Sequence, residues 1–414
     1  MIIIKRLLVL GLVLLFQAIS SKAQKLEFFI AKGLENSPLI NEYQNQVKAL
    51  ISDSLIVKSS NLPQISSSTQ VMYAPSYQHF GYDNAITNGG NYVSVVGVSQ
   101  PILNRQIKKN RYESISIQKQ NLLNNSEITN AELVKLITAQ YIDAFTAYTN
   151  LQVSSSFKAM LNDYHNVLKT LVENGVYKQS DLLALDIEIK SAEVDMNQQK
   201  IDLEYAVSAL RQTCGMSDTS QFSAMLPNLK IKSQISILQS PFLHKFQLDS
   251  LSITNQIASI NNNYLPKISL FADAGFMTTQ LQQLQNHFGY STGITLSIPI
   301  YDGNQRKHEL QKMNLQENTR QSYQQFFKAQ YSQQVKQLSS MLESVENSIK
   351  ITNNQLTDSK NLVVIIKTQL NSGNTSIVEL INALKNINSV NRSLTLLKAQ
   401  KLKIINEYNY WLQK

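Results

Sequence analysis

The sequence predicts an α+β membrane protein in which long coiled-coil helical hairpins are joined to four β-strands. Three observations point there. First, one stretch occurs twice: Leu62-Pro63-Gln64-Ile65-Ser66 leads to Val98-Ser99-Gln100-Pro101-Ile102, and Leu265-Pro266-Lys267-Ile268-Ser269 leads to Leu296-Ser297-Ile298-Pro299-Ile300. The copies are offset by 203 residues at the opening (62 to 265) and by 198 at the close (101 to 299). Second, each copy reads as two strands of roughly the 9–11 residues that cross a bilayer at a tilt. Third, the segments between copies keep a 3.5-residue apolar rhythm, the mark of supercoiled helices.

In chain order, residues 1–23 have the layout of a secretory signal peptide. Lys5 and Arg6 precede the apolar run Leu7 to Ala18, and Ser21-Lys22-Ala23 offers small residues at the cleavage positions. No later segment is apolar enough for a transmembrane helix, so any membrane passage must use strands. The formal charge of +9 is spread along the chain without a Lys/Arg block, which argues against nucleic-acid binding. The single cysteine, Cys214, precludes an intramolecular disulfide and suits a small gap at a helix end before Gly215.

Residues 24–225 form the first repeat. Lys25 to Ser60 reads as helix broken at Ser37-Pro38, with Pro38 in a first turn and Val47, Leu50, Ile51, Leu55 and Ile56 forming a stripe. A hairpin follows at about 64–103, then two long helices that fold back at Gly175. Residues 226–414 repeat the plan: Gln239-Ser240-Pro241 matches Asn36-Ser37-Pro38, a hairpin spans about 266–301, and Asn371-Ser372-Gly373 matches Glu173-Asn174-Gly175. Between Asp302 and Leu370 there is no proline, and the seam runs Tyr331, Val335, Leu338, Leu342, Val345, Ile349, Thr352, Leu356, Ser359, Val363, Ile366, Leu370. The flanks of these stripes are Gln, Asn, Ser and Lys, which suits a thin wall wet on both sides. Gly175 and Gly373 each end one heptad run and start another, as a glycine in the left-handed cap position does.

In the second hairpin Ile268, Leu270, Ala272, Ala274 and Phe276 alternate with polar or small residues, and Ile294, Leu296, Ile298 and Ile300 alternate with Thr295, Ser297 and Pro299. Ile268, Leu270, Ile294, Leu296 and Ile298 are therefore the candidate lipid-facing residues. Four strands cannot close a barrel, and open edges are not tolerated in lipid. The barrel must be shared: eight strands in a dimer or twelve in a trimer.

On these doubled motifs the chain resembles the TolC-type outer membrane efflux proteins over nearly its whole length after the signal. The residues that carry the resemblance are Ser37-Pro38 and Ser240-Pro241, the strand openings Leu62-Pro63 and Leu265-Pro266, and the strand exits Ser99-Gln100-Pro101-Ile102 and Ser297-Ile298-Pro299-Ile300-Tyr301-Asp302-Gly303. The turns Gly175…Asp181-Leu182-Leu183 and Gly373…Glu379-Leu380-Ile381 complete the set. The resemblance implies a homotrimer with a twelve-stranded transmembrane β-barrel in the outer membrane of a Gram-negative bacterium and an α-barrel of helices in the periplasm. Its partners would be a periplasmic adaptor (membrane fusion) protein, an inner-membrane pump of the RND or ABC type, and outer membrane lipids. It implies a passive channel of a tripartite efflux or type I secretion system. Gly175, Val176, Tyr177, Gly373, Asn374 and Thr375 would lie at the periplasmic tip and dock the adaptor. The loops Ala74–Asn91 and Met277–Gly289 would face outside the cell, and the linker Met216–Gln239 would wrap the tunnel's waist. Glu379 matches a family position whose carboxylates point into the entrance; the next such position is Asn382 here, and Asp181 lies nearby in the wall. Both acids equally fit first-turn positions, where they complement the helix dipole. The family's aromatic three residues before the second glycine is Leu370 here, and its basic residue two after is Thr375.

An enzyme is not expected, because no nucleophile, base and stabiliser assemble from these motifs. The five histidines lack metal-ligand spacing, and no phosphate-binding loop is present, so neither metal nor cofactor is expected. The alternative to a channel is an exported periplasmic or surface coiled-coil scaffold or adhesin, which explains the heptads but not the paired amphipathic hairpins.

Overall fold

A computed structural model describes residues 25–75, 80–81, 89–217, 222–232 and 239–412. The expected signal peptide lies outside them, as do most of the first hairpin loop and parts of the linker 216–239. The element order is α1 (Leu26–Asn36), α2 (Pro38–Ser59), β1 (Gln64–Ala74), β2 (Gly89–Ile102), α3 (Arg105–Glu173), α4 (Gln179–Thr213), α5 (Pro241–Asn263), β3 (Lys267–Thr278), β4 (Phe288–Ser297), α6 (Gln305–Asn371) and α7 (Ile377–Trp411), with a short 3₁₀ turn, Leu281–Asn286, between β3 and β4. The order repeats helix, hairpin, long helix, helix, as the motif spacing predicts.

The helices begin and end where local chemistry says they should. Ser37 is extended and hands over to Pro38, whose fixed φ suits a first turn and whose missing N–H costs nothing there. Asn104 and Asp302 occupy equivalent places before α3 and α6. The Asn104 carboxamide oxygen accepts from the Gln106 N–H at 2.8 Å, and the Asp302 carboxylate accepts from the N–H groups of Asn304 and Arg306 at 2.9 and 2.8 Å. Helix α3 then runs 69 residues and α6 runs 67. All twelve seam positions expected in α6 are buried or half-buried.

The described residues fall into two compact units, each drawing on both repeats. One holds the residues up to Asn41, Glu127–Pro241 and Phe327 onward; the other holds Glu42–Ser126 and Phe242–Phe326. The first unit is helical. One of its cores joins Phe157, Leu161 and Leu168 of α3, Leu185 and Ala192 of α4, Ile366 and Leu370 of α6, and Ile377, Leu380 and Leu384 of α7. A second gathers Leu26, Phe29, Ile137, Tyr141, Val207, Leu210, Cys214 and Phe222. Cys214 is fully buried there; its thiol points at the Phe29 carbonyl at 3.4 Å, and burial pushes its pKa up to about 11. It is a packed side chain, as its place before Gly215 suggests.

The second unit carries one antiparallel sheet in the order β1-β2-β3-β4. The register pairs Ile65 with Val98, Val98 with Ala272, and Ala272 with Thr292. Because side chains alternate, that register fixes two faces. One face carries Ile65, Val71, Tyr73, Tyr92, Val96, Val98 and Ile102, continued by Ile268, Leu270, Ala272, Ala274 and Phe276 and by Phe288, Tyr290, Ile294 and Leu296. The other carries Gln64, Ser66, Ser68, Gln70, Ser99, Ser269, Asp273, Ser291, Thr295 and Ser297, with the Ser291 hydroxyl donating to Asp273 at 2.8 Å. The first face also holds Ser67, Thr69, Ser94, Gln100 and Thr292, and the second holds Val93, Val95 and Phe271, so each face has its character by majority, and the weakly alternating β1 adds to the mainly apolar one. Aromatics gather on this face near the loop end of the hairpins, where Tyr73 and Tyr290 are 78% and 86% exposed.

One expectation needs correction. The second hairpin stops at Ser297, not 301, so Ile298 is not a strand residue. Pro299 follows directly and has no N–H to continue a ladder. In the apolar stripe of α2, Leu50 is buried and Val47 half-buried, while Ile51, Leu55 and Ile56 are open to solvent in the single chain.

Candidate functional site

The helical turns at Gly175 and Gly373 are built by the same hydrogen bonds. The Gly175 N–H donates to the Val172 carbonyl and the Val176 N–H to Leu171, both at 2.9 Å; the Gly373 N–H donates to Leu370 at 3.1 Å and the Asn374 N–H to Gln369 at 2.9 Å. These are the nested 5→2 and 6→1 bonds of a Schellman cap, which needs a left-handed residue. Both glycines provide one, with φ of 74° and 69°.

The side chains around these caps differ. Tyr177 is half-buried, and its hydroxyl donates to the Thr375 carbonyl at 2.8 Å and approaches the Leu370 carbonyl at 3.3 Å. It ties the first turn to the second. Burial pushes the Tyr177 hydroxyl pKa up, with the nearby Asp181 charge adding to it. Val176 is exposed, yet a Cβ on Gly373 would come within 3.2 Å of its Cγ1. Thr375 is buried and donates its hydroxyl to the Glu379 carboxylate at 2.5 Å. The Asn374 side chain reaches the Ser372 hydroxyl at 3.2 Å.

Asp181 and Glu379 sit in the first turns of α4 and α7. Asp181 accepts from the Lys178 N–H at 3.0 Å, closing one side of a capping box, while Ser376 accepts from the Glu379 N–H at 3.2 Å. The helix-start reading of both acids is therefore met by geometry, with Glu379 and Asn382 exposed and Asp181 half-exposed.

Below the turns, helix α4 carries acids that alternate between two neighbours. Asp186 and Glu193 meet His165 and Lys158 of α3 at 3.0 and 3.3 Å. Glu188 meets Lys385 of α7 at 2.8 Å, and Asp195 meets Arg392 of α7, whose guanidinium also donates to Ser154 at 2.6 Å. Sequence reasoning missed this ladder. Its signal was the seven-residue step from Asp186 to Glu193 and from Glu188 to Asp195. Another face of α4 is bare: Leu183, Ile187, Val194, Ile201 and Tyr205 step by four and seven residues and are all exposed. Among the described residues, no three metal-type side chains lie together, and no helix is long and apolar enough to cross a membrane.

Residues 233–407, the larger part of the second repeat, match the model of the outer membrane efflux protein family. The family is one of efflux channels and not of enzymes, in agreement with the sequence. No curated protein matches the chain. Among solved structures, the fold is similar to that of CusC, described in connection with folding and transmembrane channel formation. That match has a TM-score of 0.77 and 14% identity, over 95% of this chain and 93% of CusC. The CmeC outer membrane channel of Campylobacter jejuni matches with a TM-score of 0.74 and 14% identity, over 94% and 87%. The outer membrane protein VceC of Vibrio cholerae matches with a TM-score of 0.74 and 12% identity, over 94% and 95%. At these identities the likeness is one of fold, and it spans both repeats.

Proposed function

We propose that this chain is one protomer of a homotrimeric outer membrane channel, a passive tunnel of a tripartite efflux or type I secretion system. The observation that carries it is the four-stranded sheet, which has one mainly apolar face, one face of mainly polar and small residues, and two edges, β1 and β4, left to pair with other copies. Three copies bring twelve strands, with the apolar face toward lipid and the polar face toward a wet lumen. The bare stripe of α4 and the exposed face of α2 supply apolar surface for the neighbouring protomers of the helical wall. Ile268, Leu270, Ile294 and Leu296 face lipid in this reading.

The helical part then stands in the periplasm of a Gram-negative cell, with the hairpin loops outside. Val176 and Asn374, exposed beside Gly175 and Gly373, offer the surface on which an adaptor protein docks, while Tyr177 and Thr375 brace it. An inner-membrane pump of the RND or ABC type energises export. Glu379, Asp181 and Asn382 line the entrance, where a ring of carboxylates favours cations.

Cysteine pairs placed across β1 and β4, after Cys214→Ala, test the assembly. Disulfide-linked trimers in outer-membrane extracts, with single-channel conductance in planar bilayers, are expected. A soluble monomer without conductance would reject the channel.

A further inference from the structure

The two places where a strand gives way to a long helix, after β2 and after β4, share one rim of the sheet. Pairing of Ile102 with Ile268 and of Ile268 with Leu296 brings these ends together. Both junctions carry the same basic pair at the same place in the repeat: Lys108-Lys109 in α3 and Arg306-Lys307 in α6, 198 residues apart. Arg105 and Lys267 stand on the same rim, and all six cations are exposed. Among the described residues, none of the six takes part in an ion pair. Arg306 is held in place by two hydrogen bonds to the Asn261 carboxamide oxygen, at 3.2 and 2.9 Å, and lies over the Tyr264 ring at 5.2 Å.

This arrangement runs against the helix dipole. Positive charge in a first turn is unfavourable, and acids are preferred there. Helices α4 and α7 obey, with Asp181 and Glu379; α3 and α6 have no acid in the first turn, as is also true of α2 and α5, but α3 and α6 add the basic pairs. Capping does not account for the pairs, since Asn104 and Asp302 already cap these helices. Asp302 stays charged, because hydrogen bonds, first of all from Tyr264 at 2.5 Å, hold its pKa below the usual carboxylate range. Along the chain, the acids near these junctions are Glu113, Asp302 and Glu309. Next to the cations lie large apolar side chains in the open: Ile102, Ile298, Ile300 at 95% exposure and Tyr301 at 84%. A cleft of about 830 Å³ lies at the start of α6, lined by Tyr264, Ile300, Tyr301, Arg306 and Lys307 among others.

Unpaired cations beside exposed Ile and Tyr, at the border of an apolar sheet face, match one ligand. We propose that this rim binds the phosphate headgroups of anionic phospholipid, with Ile300 and Tyr301 seated among the acyl chains and Lys108, Lys109, Arg306 and Lys307 on the phosphates. The inference rests on the barrel reading above and assigns that barrel's helix-side border a lipid class. The positive helix ends add to the attraction. The collar fixes the depth of the barrel by charge on one side, as the aromatics do on the loop side.

The full-length protein and a variant with Lys108→Gln, Lys109→Gln, Arg306→Gln and Lys307→Gln are reconstituted into phosphatidylcholine vesicles with and without phosphatidylglycerol. Lipid retained after detergent extraction is read by native mass spectrometry, with inorganic phosphate as a competitor. The wild type is expected to retain phosphatidylglycerol over phosphatidylcholine, and each lost charge to lower that retention about fivefold. Inorganic phosphate should not displace the lipid. A charge-keeping variant, Lys108→Arg with Lys109→Arg and Lys307→Arg, should restore retention and controls for folding. Equal retention in wild type and Gln variant, displacement by inorganic phosphate, or failure of the Arg variant to restore retention would overturn the proposal. If the wild type inserts into neither vesicle, the barrel reading falls with it; normal insertion without lipid preference sinks the collar alone.

Discussion

The two helical turns are copies in backbone and complements in side chain. Each is a Schellman cap on a left-handed glycine, followed four residues later by a new helix start. Only the first brings a tyrosine, and only the second presents the carbonyls that tyrosine reaches. A Cβ at Gly175 would meet nothing within 4 Å, whereas one at Gly373 would press on Val176. The lesson is that repetition has preserved what the main chain needs, while side chains have specialised so that the copies fit each other.

The strongest test of that contrast lies in the strands, where the copies should still behave alike. Val98 and Leu296 hold equivalent positions on the apolar face. Val98→Lys and Leu296→Lys should each block insertion, at a cost of about 2–4 kcal/mol per protomer near the bilayer midplane. Thr295→Lys, one residue away on the polar face, should insert. Heat-modifiable trimer yield reads all three; normal yield for Val98→Lys alone would mean the hairpins are not equivalent.

The turns should then split. Gly175→Val and Gly373→Val both force a β-branched residue to positive φ, at roughly 1–3 kcal/mol. Gly373→Val adds the contact with Val176 and should lower the melting temperature further. Equal shifts would remove the asymmetry drawn here. A smaller loss is expected for Tyr177→Phe, about 0.5–1.5 kcal/mol for its hydrogen bond. Hydrogen exchange at both turns should accelerate in that variant; acceleration at the first turn alone would show that the tie carries no coupling.

The smallest stability effect belongs to the helix-start acids. Asp181→Asn and Glu379→Gln should each cost only about 0.3–1 kcal/mol through the dipole. Their conductance should differ, with Glu379→Gln weakening cation selectivity more than Asp181→Asn. Unchanged selectivity in Glu379→Gln leaves it as a helix-start residue only.

Much of this architecture was legible because it is periodic. A seam such as Tyr331 to Leu370 announces itself every three or four residues, and a left-handed cap announces itself as glycine. Strand limits were read less well at Ile298, since alternation persisted past the point where Pro299 ends the ladder. Residues joined across the fold left no local trace. Tyr177 meets residues more than 190 positions away, and Asp195 meets Arg392 at a similar distance; neither pair follows from the helix or strand period. The face of α2 shows a related limit: its apolar stripe was legible, but a stripe does not say whether its own chain covers it, and Ile51, Leu55 and Ile56 are exposed.

The five-residue difference between the two offsets has one location. The connection between β1 and β2 spans residues 75–88 and that between β3 and β4 spans 279–287, fourteen residues against nine. From there to the helical turns the copies stay in step without net gain or loss. Each element works like a reading frame. A single inserted residue in a strand would turn its apolar side chains inward, and one in α3 or α6 would rotate the rest of a helix of nearly 70 residues off its seam. Lengthening is therefore tolerated between β1 and β2, and within the long helices only in steps that restore the heptad phase. Any future extension of this wall by natural drift or by engineering has to be written in sevens.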